Sequence, residues 1–167
     1  DPHTCLNEQF ESAQLMISSD DGFSFDNEHG KEIIIPPVTD PSIGDRTHTR
    51  DPKIWRGEDA WYLILGSTVE EKYGEVLFYR SEDLHTWTYL NKAWKGPEYG
   101  WMWECPDYFK TDGGEVLMLS AMKLLPDHVK ERNQSICFPV TFDEASCALQ
   151  IPDAYQYLDY GLDLYAP

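Results

Sequence analysis

Two copies of one short pattern, 62 positions apart, constrain the fold of this chain more than any other feature of its sequence. Leu15–Phe25 and Leu77–Trp87 each contain an apolar run, then Ser-x-Asp-x-x-Ser/Thr, and then an aromatic residue. The Ser and Asp side chains of such a pattern can bond nearby backbone amides and close a turn. The repeat therefore predicts a series of similar strand–turn–strand units.

A second series, formed by Asp51-Pro52, Cys105-Pro106 and Ala166-Pro167, recurs at spacings of 54 and 61 residues. Strand candidates lie between its members, the clearest being 61–66, 75–79, 115–119 and 135–140. No window shows a sustained helical period, and residues 121–132 are expected to form a loop or one short helix. About four strands per repeat at this period are typical of a β-propeller blade.

We therefore predict an all-β fold, namely a partial β-propeller with about two complete four-stranded blades and parts of two others. The blade boundaries are predicted near residues 48, 102 and 158. Because propellers close with about four to eight blades, the chain is expected to be a piece of a larger toroid. Its bare blade edges are expected to permit self-association.

Composition excludes several classes of partner. The 167 residues carry a net charge of −17, so nucleic acid and anionic membrane surfaces are not expected as partners. No apolar run is long enough to span a membrane. The four cysteines show no metal-binding or redox spacing, so we expect no zinc or thioredoxin-like site and a reduced, cytoplasmic chain. No organic cofactor is implied either. The five histidines are scattered, and none is assigned a catalytic role.

Two carboxylates stand out. Trp103–Asp107 places Glu104 inside an aromatic cluster that begins at Trp101, the best candidate for a sugar-stacking platform. Poor solvation favours a protonated carboxyl group, which can donate its proton to a leaving oxygen. Arg50–Pro52 sets a second carboxylate beside a permanent cation. Because the first strand of each propeller blade lines the central channel, these segments and residues 160–167 are predicted to converge. The two carboxylates, on Glu104 and Asp51, together indicate carbohydrate chemistry.

Arg50–Pro52, Trp103–Asp107 and Asp159–Pro167 resemble successive motifs of glycoside hydrolase family 32, in order and in spacing. The resemblance extends over essentially the whole chain. It implies a five-bladed propeller, usually followed by a β-sandwich. It also implies a retaining hydrolase for terminal β-D-fructofuranosyl bonds, of the invertase, sucrose-6-phosphate hydrolase and levanase type.

The same resemblance implies a role for each site residue. Glu104 is implied to be the general acid/base, and Asp51 a clamp on the fructosyl hydroxyls that stabilises the transition state. Arg50 is implied to orient Asp51 and keep it ionised. Cys105 is implied to tune the environment of Glu104, although it could equally be a small buried residue. Tyr165 lies on a matching inner strand and either touches the sugar ring or fills the core.

The chain departs from the family pattern in one respect. A retaining glycosidase needs two carboxyl groups about 5–5.5 Å apart, one of them the nucleophile. In this family the nucleophilic aspartate lies in a Trp-Met-Asn-Asp-Pro-Asn-Gly motif, and no such motif occurs here. We therefore expect the nucleophile on a blade upstream of residue 1, and no turnover by this chain alone.

Three functions remain open at this point. The chain is a fragment of a β-fructofuranosidase, a non-hydrolytic carbohydrate-binding homologue, or part of a related five-bladed enzyme acting on pentosides. The motifs favour fructosides over pentosides. An Arg-Asp-Pro-Lys pattern like that of bacterial intracellular members favours a cytoplasmic sucrose or sucrose-6-phosphate hydrolase, with fructans as a further option. Lys53, Lys123 and Arg132 are the candidate cations for a phosphate.

Overall fold

Antiparallel strands make up nearly all the regular structure of the computed structural model, which describes residues 10–126, 132–161 and 163–167. A single 3₁₀ turn, Pro97–Tyr99, is the one helical element among these residues. The strands in chain order are β1 (Gln14–Ile17), β2 (Lys31–Ile35), β3 (Arg50–Arg56), β4 (Trp61–Val69), β5 (Tyr73–Ser81), β6 (Thr88–Trp94), β7 (Met102–Thr111), β8 (Gly114–Met122), β9 (Gln134–Asp143), β10 (Ala148–Gln150) and β11 (Gln156–Tyr157).

The strands form three antiparallel sheets. β1 pairs with β2, and β3 to β6 form a four-stranded meander. The third sheet has the order β10-β9-β8-β7, with β11 also paired to β9.

The predicted all-β class and partial propeller are therefore confirmed, and the four predicted strand cores fall within β4, β5, β8 and β9. β8 continues to Met122, whereas a loop or helix was predicted from residue 121, and residues 127–131 lie outside the described residues. The division at 48, 102 and 158 stays a prediction.

Two apolar layers cover the opposite faces of the β4–β5 pair. Successive side chains of a strand point to opposite faces, so Tyr62 and Ile64 pack against the sheet that contains β7 to β9. Leu63 and Leu65 instead pack with residues of β2 and the loop after it. Because both faces are covered, β4 and β5 are almost entirely buried, as the central strands of stacked sheets should be.

The repeated Ser-x-Asp turn forms as predicted. The Asp21 and Asp83 carboxylates each accept hydrogen bonds from the backbone N–H groups two and three residues later. The Ser19 and Ser81 hydroxyls each accept the N–H three residues later. A third copy follows β9 at Asp143, whose carboxylate accepts the N–H two residues later. Sequence analysis missed that copy because Thr, not Ser, stands at position 141.

Each of the two inner strands, β3 and β7, carries a bulge at an X-Pro step. The β3–β4 pairing skips from Arg50 to Lys53, and the β7–β8 pairing skips from Glu104 to Asp107. Proline cannot donate to a ladder, and the residue before it has a left-handed backbone in both places, with φ of 61° at Asp51 and 46° at Cys105. The bulges therefore interrupt both strands at the residues singled out from the sequence.

Candidate active site

Glu104 is held through both of its carboxylate oxygens. The Arg50 guanidinium donates to Oε1 from Nη2 at 2.5 Å and from Nε at 3.2 Å. The Tyr165 hydroxyl donates to Oε2 at 2.5 Å. The side chain of Glu104 is 18% exposed, so this carboxylate still reaches solvent from a mostly enclosed position. Burial, and then the bond to Glu104, raise the pKa of Tyr165, which keeps the phenol a donor.

Asp51 is hydrogen-bonded by Cys105, which lies on β7 next to Glu104. The Cys105 backbone N–H donates to Asp51 Oδ2 at 3.0 Å, and the Cys105 thiol lies 3.6 Å from the same oxygen. Burial, followed by the charge of Asp51, raises the pKa of the Cys105 thiol to about 11. The thiol therefore stays protonated and serves as a weak donor to the carboxylate.

The structure changes two of the expected pairings. Arg50 was expected to orient Asp51, but its guanidinium binds Glu104 instead. Cys105 was expected to act on Glu104, but its N–H and thiol contact Asp51. The physical reason is the bulge, because a residue with φ near +60° does not present its side chain with the ordinary alternation of a strand. The oxygens of Glu104 accordingly contact a cation and a phenol, Arg50 and Tyr165, whereas an aromatic, apolar environment was expected from the sequence.

Trp101 immediately precedes β7 at the same end of the site. Its ring is half-buried and meets the ring of His48 edge-on at a centroid distance of 5.2 Å. The Lys123 ammonium lies 5.7 Å from its ring centroid. His48 Nδ1 in turn lies 3.2 Å from Arg50 Nη1. Sequence analysis missed His48, although its position two residues before Arg50 is the spacing that places side chains on one face of a strand.

The cations considered for a phosphate site have different surroundings. Lys53 forms an ion pair with Asp107 at 2.9 Å. Lys123 lies over Trp101 instead. Arg132 has interactions of its own within the structure. Each of the three cations thus has interactions of its own.

The last residues of the chain are tied to the site by a buried hydroxyl pair. The Ala166 N–H donates to Ser120 Oγ at 3.0 Å, and Ser120 Oγ lies 2.9 Å from Ser135 Oγ. Ser120 is also the β8 partner of Glu104. This contact holds Ala166 beside β8, and Tyr165, the residue before it, bonds Glu104. The predicted convergence of Arg50-Asp51, Glu104 and the 160–167 segment is thus seen in the described residues.

Within residues 10–126, 132–161 and 163–167, no three His, Cys, Asp or Glu side chains are grouped so that they could hold a metal ion. The cysteines at 105, 137 and 147 are free thiols. Among the described residues, no helix has the length and apolar character needed to cross a membrane.

Residues 3–167 match the model of the glycosyl hydrolases family 32 N-terminal domain. The chain belongs to this family. Membership in family 32 agrees with the propeller-like sheets and with the motifs that carry Asp51, Glu104 and Tyr165.

Several family 32 proteins resemble the chain in sequence. A sucrose-6-phosphate hydrolase of Bacillus subtilis is 33% identical over 94% of this chain, which spans 33% of that protein. A raffinose invertase of Escherichia coli is 30% identical over 99% of the chain and 34% of its own length. The chain thus spans about a third of the length of the curated relatives it matches.

Solved structures agree with the family 32 assignment. A mutant of the Bombyx mori GH32 beta-fructofuranosidase BmSUC1 in complex with sucrose is 34% identical, with a TM-score of 0.80 over 92% of this chain and 32% of that chain. An endo-1,4-beta-xylanase of Bacteroides thetaiotaomicron, 16% identical with a TM-score of 0.58 over 82% of this chain and 48% of that chain, shares the fold alone.

Proposed function

We propose that this chain forms the acid/base side of the active site of a retaining β-fructofuranosidase, which cleaves terminal β-D-fructofuranosyl bonds. The observation that carries the proposal is the arrangement around Glu104. The Glu104 carboxylate on β7 is fixed by Arg50 and Tyr165. The Asp51 carboxylate on β3 is fixed by the N–H of Cys105, the residue after Glu104 on β7. Glycoside hydrolysis requires a positioned general acid together with a nucleophile, and Glu104 is a carboxyl group positioned for the first of these roles.

In this mechanism Glu104 is the general acid/base. It donates a proton to the glycosidic oxygen as the leaving sugar departs, and later accepts one from the attacking water. Arg50 and Tyr165 fix the direction of its two oxygens. Fixed direction matters because proton transfer requires the donor within hydrogen-bond distance of the leaving oxygen.

Asp51 acts on the fructosyl unit. Its carboxylate accepts hydrogen bonds from the sugar hydroxyls and offsets the positive charge that develops on the ring. The Cys105 N–H, held at the β7 bulge, keeps that carboxylate in place. The nucleophilic carboxylate comes from outside these 167 residues, because the sequence contains no Trp-Met-Asn-Asp-Pro-Asn-Gly motif.

The substrates proposed are sucrose and sucrose 6-phosphate. Support comes from the names of the relatives, which include sucrose-6-phosphate hydrolases and a raffinose invertase at 30–34% identity. The xylanase match shares only the fold and gives a pentoside no support. A cytoplasmic location and self-association through blade edges both stay predictions, tested by cell fractionation and by light scattering.

The test replaces the matching third of the Bacillus subtilis sucrose-6-phosphate hydrolase by this 167-residue chain and measures fructose release from both substrates by the joined protein. Glu104→Gln and Asp51→Asn are compared with Glu82→Gln, whose carboxylate is 80% exposed on a distant turn. Removing a general acid lowers kcat by about 10²–10⁴-fold. We expect such a loss for Glu104→Gln and no loss for Glu82→Gln.

The 167-residue chain alone is assayed in parallel, together with its binding of fructose by calorimetry. Binding without release in the joined protein would favour the non-hydrolytic carbohydrate-binding alternative. Release that survives Glu104→Gln would refute the assignment of the acid.

A further inference from the structure

We propose that Trp101 and Lys123 form a subsite beside the acid that holds an anionic group, such as a phosphate, on the leaving sugar. This inference rests on the proposed function and deepens it, because it assigns a substrate class to the same site. It selects sucrose 6-phosphate over sucrose.

The first argument is position. The Trp101 backbone N–H donates to the Met122 carbonyl at 3.0 Å, so Trp101 and Lys123 lie side by side where β7 begins and β8 ends. From there a continuous set of contacts leads to the acid. The Lys123 ammonium lies over Trp101, Trp101 meets His48, and His48 Nδ1 lies 3.2 Å from the Arg50 guanidinium that binds Glu104.

The second argument is that the leaving sugar must lie on this side. A general acid protonates the oxygen between the two sugars, so the leaving unit contacts the surface next to the acid. In sucrose 6-phosphate the phosphate is carried by the glucosyl unit, which is the unit that leaves. An indole face beside a cation can contact a sugar ring while the cation reaches a substituent on it.

The third argument is charge. This chain has 30 acidic and 13 basic residues, and most of its described lysines are paired. The lysines bound to a carboxylate are Lys53, Lys72, Lys92, Lys95 and Lys110. Lys123 is exposed, and in the part of the chain that the structure describes it forms no ion pair with a carboxylate. Its charge is therefore available to a ligand, and a lysine ammonium binds phosphate as a point charge.

The experiment uses the joined protein described above and compares kcat/KM for sucrose 6-phosphate and for sucrose. Lys123→Met is the test variant, and Lys72→Met, which removes an exposed lysine paired with Glu70, is the matched control. Lys123→Met removes a charged hydrogen-bond donor to the phosphate, and this loss should lower kcat/KM for sucrose 6-phosphate by about 10-fold. The value of kcat/KM for sucrose should change by less than about 2-fold, because sucrose carries no phosphate for the Lys123 ammonium to bind.

An equal change for both substrates, or no change, would overturn the subsite. Failure of the proposed function looks different, because neither substrate would then release fructose. In that case, calorimetry on the 167-residue chain decides the subsite with glucose 6-phosphate and glucose as probes. Tighter binding of glucose 6-phosphate that disappears in Lys123→Met supports the subsite, and equal binding of the two sugars refutes it.

Discussion

Gly66 is the position where a single methyl group should do most damage to the packing of the two large sheets. A Cβ added there would lie 2.1 Å from the carbonyl oxygen of Trp103 and 3.1 Å from its carbonyl carbon. Ordinary contact begins near 3.4 Å. Both atoms that the Cβ would meet belong to the backbone of β7, which is held in a ladder with β8, and Gly66 itself is held in the ladders of β4. Gly66→Ala therefore requires the two strands to separate by about 1 Å.

The cost can be estimated from the kind of clash. Overpacking in a close-packed interior costs about 1–3 kcal/mol. We expect the upper end, about 3 kcal/mol, because backbone rather than a flexible side chain must move. For a chain of this size each kcal/mol lowers Tm by about 2–4 °C, so the expected drop is about 6–12 °C.

The assay is thermal unfolding of the 167-residue chain by circular dichroism, with Gly113→Ala as the control. A Cβ at Gly113 would meet only the Thr111 hydroxyl, at 3.7 Å, and should change Tm by less than about 2 °C. A Gly66→Ala variant that unfolds within about 2 °C of the control would refute the close approach of β4 and β7. Gly66 is also the β4 partner of Arg50, so the same variant should weaken catalysis in the joined protein.

Three further predictions concern turns, the chain end and the thiol. Backbone N–H bonds lower the pKa of Asp83 from 3.8 to about 2. The ionised Asp83 therefore adds to the free energy of unfolding above pH 3.8, and this stabilisation is lost as the pH falls towards 2. Asp83→Asn should therefore remove that part of the acid sensitivity of urea unfolding. Ser120→Ala removes the acceptor of the Ala166 N–H, and should speed hydrogen exchange at Ala166 and cost about 1–3 kcal/mol. With its pKa raised to about 11, the Cys105 thiol should react with iodoacetamide at pH 8 far more slowly than glutathione, and Asp51→Asn should speed the reaction.

Local features of the fold could be predicted from the sequence because each depends on a few neighbouring residues. The Ser19–Asp21 and Ser81–Asp83 turns are closed by side chains within the turn itself, so a short pattern is enough to identify them. The strand cores are marked by continuous apolar runs of β-favouring residues. The convergence of Asp51 and Glu104 followed from the repeat period, which places equivalent strands in equivalent positions.

The pairings inside the site could not be predicted, because they depend on backbone geometry between distant segments. Whether Arg50 binds Asp51 or Glu104 is decided by the direction in which a bulged residue points its side chain. The contact of Gly66 with Trp103 joins two sheets, and a glycine in a strand only signals that something approaches closely. The sequence does not say what approaches.

The X-Pro bulge explains why the two carboxylates are linked. Between Glu104 and Asp107 the β7–β8 ladder is interrupted, so the Cys105 N–H has no partner strand to bind. A buried N–H without an acceptor is costly, and here the acceptor is Asp51 Oδ2, 3.0 Å away on the equivalent bulge of β3. The irregularity that would weaken an ordinary sheet thus supplies the donor that positions the second carboxylate. The repeat of the X-Pro step at the same place in each inner strand is therefore a feature of the site as much as of the fold.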